Sequence, residues 1–531
     1  MSNRKKVLIV GLLVLALISF GCASKKTEAP AEKGTPEAKK TPEMKTITIG
    51  VTDKITDLDT ANAYDFYTWE VMNNIMGGLV RYKPGTTELE PYLAKSWEVQ
   101  DGGKVYIFHL RKDLKFADGT PCTAKDVVRS IKRVMKIQGD PSWLVTDFVK
   151  DVEAVDDYTV KFTLKTPVSY FPSLLATPPY FPVHPAYKPN EIDSDQTAGG
   201  VGPYKIVNWV RDQELILEAN NNFFGDKPKV DRIIIKFYKD ATTLRLAFEK
   251  GEVDIAWRTL TPIDIQTLKK EKDVQVIEAP GGFIRYLVLN GNESTGYPTK
   301  DKLVRQAIAA AINRQEIIDT VFLGTMQPLY SLVPNGMWSH IDAFKDKYGD
   351  GNLELAKQLL TQAGYSENNK LKIELWWTPT HYGDTEKDLA QVLKAQLEKT
   401  GMIEVELKSA EWSTYVDYAR KSAMMASLFG WYPDYLDPDD YTTPFLKSGA
   451  NRWLGFPYSD PKMDELLQKA ATSTSMSERE QYYKQIQEKL AEDTPIIPLV
   501  QGKLTIVAKK NINGIVLDPT MIFRYYLLDI S

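Results

Sequence analysis

The chain has 531 residues, 43% of them hydrophobic, with 70 acids against 66 Lys and Arg and a formal charge of −4. That balance gives no support to nucleic-acid binding, which usually shows a basic face. With two cysteines, Cys22 and Cys122, the sequence has no disulfide framework, CxxC pair or metal-type Cys/His spacing, so stability must come from burial, for which a chain of this length has ample material.

In chain order, Arg4, Lys5 and Lys6 precede a mostly apolar run from Val7 to Gly21. The run is shorter than the roughly 20 residues a membrane-spanning helix needs, and its basic flank makes residues 1–21 a secretory signal peptide. Cys22 follows directly and is itself followed by polar residues, which resembles a bacterial lipoprotein signal; the cysteine then becomes the lipidated first residue of the mature protein. Gly21 conforms to that pattern, while Ser19 and Phe20 depart from it. Loss of the signal removes three cations and moves the formal charge to −7. Residues 22–46 are too poor in apolar side chains to build a core and read as a flexible tether reaching about 25 to 30 Å.

Strands and helices then alternate, which places the chain in the α/β class. KTITIGV (45–51) has period two and reads as a strand, and residues 69–79 as a helix. VYIFHLR (105–111) and YTVKFTL (158–164) are strand-like, around a helix capped by Thr123 with Asp126 three residues on and Val127, Ile131, Val134 and Met135 on one face. After GGVGPYK (199–205) come the strand patterns ELILEA and VDRIIIKFY, the helix TTLRLAFEKG and the strand VDIAW. Residues 301–318 read as one helix opened by Asp301, and 354–364 as a second ended by Gly364. LKIELWW, IEVELKS and MASLFGW are strands alternating with helices at 386–399 and 412–421. A polar helix at 477–492 precedes two strands, IIPLVQ and LTIVAK.

The segment GWYPDYLDPDDY (430–441) sets Asp434, Asp437, Asp439 and Asp440 among Trp431, Tyr432, Tyr435 and Tyr441. A carboxylate beside aromatic faces suits an ammonium group, through charge-assisted hydrogen bonding and the ring quadrupole. The competing reading is a solvated acidic turn, because Pro433 and Pro438 punctuate the stretch. Its position at the carboxyl end of a predicted strand is where open α/β sheets put ligands.

With these segments placed, the chain from about 46 to 531 resembles the bacterial extracellular solute-binding proteins, family 5, of peptide-type ABC transporters. The resemblance is carried, in order, by PYLAKSWEVQDGGKVYIFHLRKDLKFADGTPCTAKDVV, VGPYKIVNWVRDQELILEANNNFFGDKPKVDRIIIKFY, AFEKGEVDIAW, VRQAIAAAINRQEII, AKQLLTQAGY and GWYPDYLDP. It implies a bilobed, periplasmic-binding-protein-like α/β fold of type II with an extra domain and a hinge between the lobes. Lobe I is then discontinuous (47–79, 197–283 and 495–531), the extra domain spans 80–196, and lobe II spans 284–494. In peptide-binding members an Asp three residues after a Trp holds the ligand amine, here Asp434 and Trp431, and a second Trp 19 residues earlier lines the cleft, here Trp412. Tyr435, Tyr286 and Trp453 complete the candidate ligand-binding set. Leu428 stands where some members have an Arg for the ligand carboxylate, which leaves Arg420, Arg285 and Lys387 as candidates by type alone.

The resemblance further implies a peptide ligand, a permease partner, a monomeric extracytoplasmic protein held at the membrane through Cys22, and no cofactor or resident metal. An oligosaccharide is the alternative ligand, since the family includes sugar binders; a metal complex has no His or Cys cluster behind it. A secreted carbohydrate hydrolase is the competing class, resting on abundant acids and on Trp376, Trp377, Trp412, Trp431 and Trp453 as a sugar groove. No HExxH, GxSxG or P-loop pattern accompanies them, so zinc, nucleophile and phosphate chemistries lack a signature.

Overall fold

Period-two alternation makes Thr46–Val51 (β1) a strand whose Ile47, Ile49 and Val51 are buried. It enters the sheet that organises the molecule in the computed structural model, which describes residues 44–379, 381–455 and 457–531. The predicted signal peptide, Cys22 and nearly all of the tether lie outside those residues. The first helix, α1 (Phe66–Ile75), starts before the predicted Trp69 because the Asp65 carboxylate accepts the Thr68 N–H at 2.8 Å and caps it there.

A small antiparallel sheet follows, built from Ala94–Gln100 (β2), Val105–Leu110 (β3), Val149–Asp156 (β4) and Thr159–Leu164 (β5) in the order β2-β3-β5-β4. The helix α2 (Ala124–Ile137) packs on it, with Asp126 accepting the Thr123 N–H at 3.0 Å as the capping pattern predicts. Its buried face carries a charge: Arg133 pairs with both oxygens of the fully buried Asp59 at 2.6 Å, tying α2 to the segment before α1.

Further strands of the main sheet are Tyr204–Val210 (β6), Glu214–Ala219 (β7), Arg232–Phe237 (β8), Ile255–Trp257 (β9), Val274–Leu289 (β10), Leu371–Trp377 (β11), Ile403–Ser409 (β12), Ala426–Trp431 (β13) and Ile496–Lys509 (β14). They join β1 in one eleven-stranded sheet, ordered β12-β11-β13-β10-β14-β9-β1-β8-β7-β6, with Met326–Pro328 paired to β14. β1 runs parallel to β8 and β9, and β11 parallel to β12 and β13.

Two predictions change in the structure. The single helix expected over 301–318 is Lys302–Ala311 (α3) followed by a separate turn, Arg314–Ile317, because Ile312 is extended and the Asn313 side chain caps the new start by accepting the Glu316 N–H at 2.8 Å. The two strands expected in IIPLVQ and LTIVAK are one, β14, running through Gly502.

β10 and β14 are the long pair at the middle of the sheet. Their antiparallel ladder breaks between Pro280, opposite Lys503, and Ile284, opposite Gln501. On one side of the break β14 also pairs with β9, and on the other β10 also pairs with β13. The Phe283 ring sits in the space Gly502 leaves, where a Cβ would lie 1.7 Å away, and stacks on Tyr432 at 5.4 Å between centroids. The break is therefore packed directly against the acidic turn.

Candidate functional site

β13 ends at Trp431, and the chain turns through Pro433 to Asp434. The four aspartates of the turn have different surroundings. Asp437 is buried and paired with Arg479 at 2.7 Å, with Arg479 reaching it from the helix Met476–Asp493 (α4). Asp439 is buried and accepts hydrogen bonds from the hydroxyls of Tyr435 at 3.0 Å and Thr443 at 2.7 Å. Asp440 is fully buried; its Oδ2 accepts the Trp431 Nε1–H at 3.0 Å and the Asp434 N–H at 3.1 Å, while its Oδ1 has no hydrogen-bond partner among the described residues.

Asp434 alone is half-buried, and its carboxylate accepts the Tyr64 hydroxyl at 2.9 Å from a ring that is 42% exposed. Among the described residues no cation forms an ion pair with it. Enclosure by the turn pushes the Asp434 carboxyl up to about 7, with the Tyr64 hydrogen bond opposing. Asp440 next to it is also raised, first by burial and then by the Asp434 charge. The two carboxyls are close enough to titrate as a pair, and they hold a proton readily unless a cation arrives.

Beside Asp434 lies a cavity walled by Phe66 and Trp69 of α1, Tyr82, Leu436, Arg81 and Arg524 among others. On its other flank the aromatic residues form a chain: Trp431 lies 5.7 Å from Trp453, Trp453 6.2 Å from Phe429, and Phe429 6.3 Å from Trp412. Trp412 opens the helix Trp412–Arg420, and the His381 imidazole lies flat on its indole at 3.5 Å. Loss of water against that face, helped by the Arg285 charge, lowers the His381 imidazole to about 4. Trp412, Trp431 and Trp453 are all half-buried.

The structure thus links Trp431, Trp453 and Trp412 through Phe429, and joins Trp431 to Asp434 through their shared partner Asp440. Tyr286 and Tyr435 are buried. Tyr286 directs its hydroxyl to the Gly430 carbonyl at 3.4 Å and packs its ring against Phe445; Tyr435 stacks on Tyr170 at 5.3 Å. Arg285 is also buried, engaged with Glu386 at 3.3 Å and lying over Tyr382, while Arg420 and Lys387 are exposed. None of the three is among the residues walling the Asp434 cavity. Sequence reasoning missed Tyr64, His381 and the two arginines of the cavity; Tyr64 and Arg524 stand 370 and 90 positions from Asp434, with no local pattern to connect them.

The family model for bacterial extracellular solute-binding proteins, family 5 (middle), matches residues 88–453. The chain is 27% identical to a dipeptide-binding protein of Escherichia coli over 97% of both chains. It is 31% identical to heme-binding protein A of Haemophilus influenzae over 83% of this chain and 84% of the relative. Among solved structures, the ABC transporter-associated periplasmic binding protein DppA of Helicobacter pylori, in complex with the peptide STSA, superposes with a TM-score of 0.74 at 26% identity, covering 91% of this chain and 98% of that one.

Proposed function

The chain belongs to the bacterial extracellular solute-binding proteins, family 5, with their bilobed α/β fold, and on that premise we propose that it captures short peptides and hands them to an ABC transporter permease. The Asp434 carboxylate takes the ligand's ammonium, and Trp431, Trp453 and Trp412 line the path of the peptide. One observation carries this reading: of the four acids in the turn, Asp434 alone is half-open, bound by a single hydroxyl and without a cationic partner. A half-buried carboxylate in that state gains from a cation, by up to about 1.5 to 3 kcal/mol for a charge-assisted hydrogen bond.

In this reading the lobes are 47–79 with 197–283 and 495–531, and 284–494, with 80–196 as the extra domain. Closure around the ligand shifts an open and closed equilibrium, flexing at the break in the β10/β14 ladder, and the closed form is what the permease recognises. Cys22 anchors the mature protein to the membrane by its lipid, as a monomer. No catalytic step enters this account.

Calorimetry with Asp434→Ala tests the amine site: the expected result is a loss of peptide affinity of at least about tenfold, and unaltered affinity removes Asp434 from it. The half-buried Trp431 and Trp453, 5.7 Å apart, also fit a sugar face, which keeps an oligosaccharide as the second reading. A thermal-shift screen of di- to pentapeptides against cello-, manno- and xylo-oligosaccharides separates the two. For the anchor, Cys22→Ser is expected to release the exported protein from the membrane fraction.

A further inference from the structure

The cavity beside Asp434 has a second charged wall. Arg524 lies in it, only 6% exposed, and spends one nitrogen on a protein partner: Nε donates to Asp518 at 2.7 Å. Among the described residues no hydrogen bond or ion pair involves its two terminal nitrogens. Asp518 does not depend on Arg524 alone, since it also accepts from the Thr520 N–H and hydroxyl. Arg81 walls the same cavity, its guanidinium 4.4 Å above the Tyr92 ring and its Nε on Glu90 at 2.7 Å. Arg524 thus presents a nearly buried, partly used guanidinium fork to a cavity that Asp434, which has no ion pair among the described residues, also lines.

A guanidinium prefers a planar anion that can accept from both terminal nitrogens, and a carboxylate is that anion in a peptide. We propose that Arg524, with Arg81 reinforcing the positive wall, binds a carboxylate of the ligand, so that the cavity selects molecules carrying an ammonium and a carboxylate together. This rests on the reading that Asp434 holds the amine. With the amine fixed there, two groups can supply the carboxylate: an acidic side chain on the first residue, which starts one carbon from the ammonium, or the C-terminus of a short peptide. The site differs from the three cations the sequence offered, because Arg285 is already engaged with Glu386 and Arg420 and Lys387 face solvent.

Isothermal titration with Glu-Ala, Gln-Ala, Ala-Ala and Ala-Ala amide, on the native protein and on Arg524→Gln, tests it. The expected native preference is about tenfold for Glu-Ala over Gln-Ala if the side chain is the source, or for Ala-Ala over its amide if the terminus is. Arg524→Gln should erase whichever preference exists and leave the weaker peptide of that pair bound as before. Arg524→Lys should keep part of it, and the double variant Arg524→Gln/Asp518→Asn, which leaves no unpaired buried acid, reports the same loss if the single variant folds poorly. Absence of both preferences in the native protein, or their survival in the folded variants, overturns the proposal. Asp434→Ala separates the parent reading: it should weaken all four ligands, amide included, whereas Arg524→Gln acts only on the carboxylate-dependent difference. Failure of every peptide to bind the native protein would remove both readings.

Discussion

Two carboxyls in this molecule accept a tyrosine hydroxyl and are raised to about 7, Glu70 and Asp434. Glu70, on α1, is fully buried and accepts the Trp257 indole N–H at 2.9 Å and the Tyr525 hydroxyl at 2.7 Å. Asp434 accepts one hydroxyl, from a half-open tyrosine, and borders a cavity. Chemically they are near twins; sterically they are opposites. A displaced carboxyl is therefore no marker of function by itself. Both are raised by loss of water, Glu70 where it joins helix to strand in the interior and Asp434 where the turn encloses it beside a cavity.

The contrast breaks most sharply if Glu70 is cut away. Glu70→Ala leaves an indole N–H and a hydroxyl buried without acceptors, so it should lower the free energy of unfolding by about 3 kcal/mol in chemical denaturation while leaving peptide affinity within about twofold. The pH dependence carries the same distinction. A carboxyl raised in the folded state favours the fold at low pH, and that contribution is lost as pH rises through about 7. Between pH about 4.5 and 7 the native protein should lose about 2 kcal/mol of stability relative to Glu70→Gln, measured as parallel urea midpoints across that range. Asp434→Ala should do the reverse of Glu70→Ala: peptide affinity falls at least about tenfold, and the melting temperature of the ligand-free protein moves by less than about 2 °C. The smallest effect is the titration of binding. Because a proton competes with the ammonium for the Asp434/Asp440 pair, affinity should fall about fivefold to tenfold from pH 7.5 to pH 6, and the slope should vanish in Asp434→Asn.

Local chemistry was legible in the sequence where it acted locally. The strand leading to Trp431, the Thr123 and Asp126 cap and the period-two strands all appear in the structure at their predicted places. The helix over 301–318 was overdrawn because apolar periodicity continues through Ile312, and nothing in that pattern tells that the Asn313 side chain will cap a new start. The two halves of β14 read as separate strands because Gly502 interrupts the pattern, although the glycine is there to admit the Phe283 ring. The far wall of the site was hidden for a different reason. Tyr64 and Arg524 meet the turn only after the chain folds, and each alone looks like an ordinary tyrosine or arginine.

The Phe283 ring touches both the glycine of one central strand and, through Tyr432, the loop that presents Asp434. In the proposed closure, bending at the interrupted ladder would carry that loop with it. Even a methyl group at position 502 would evict the ring and so undo the packing behind the loop, away from the position where the substitution was made.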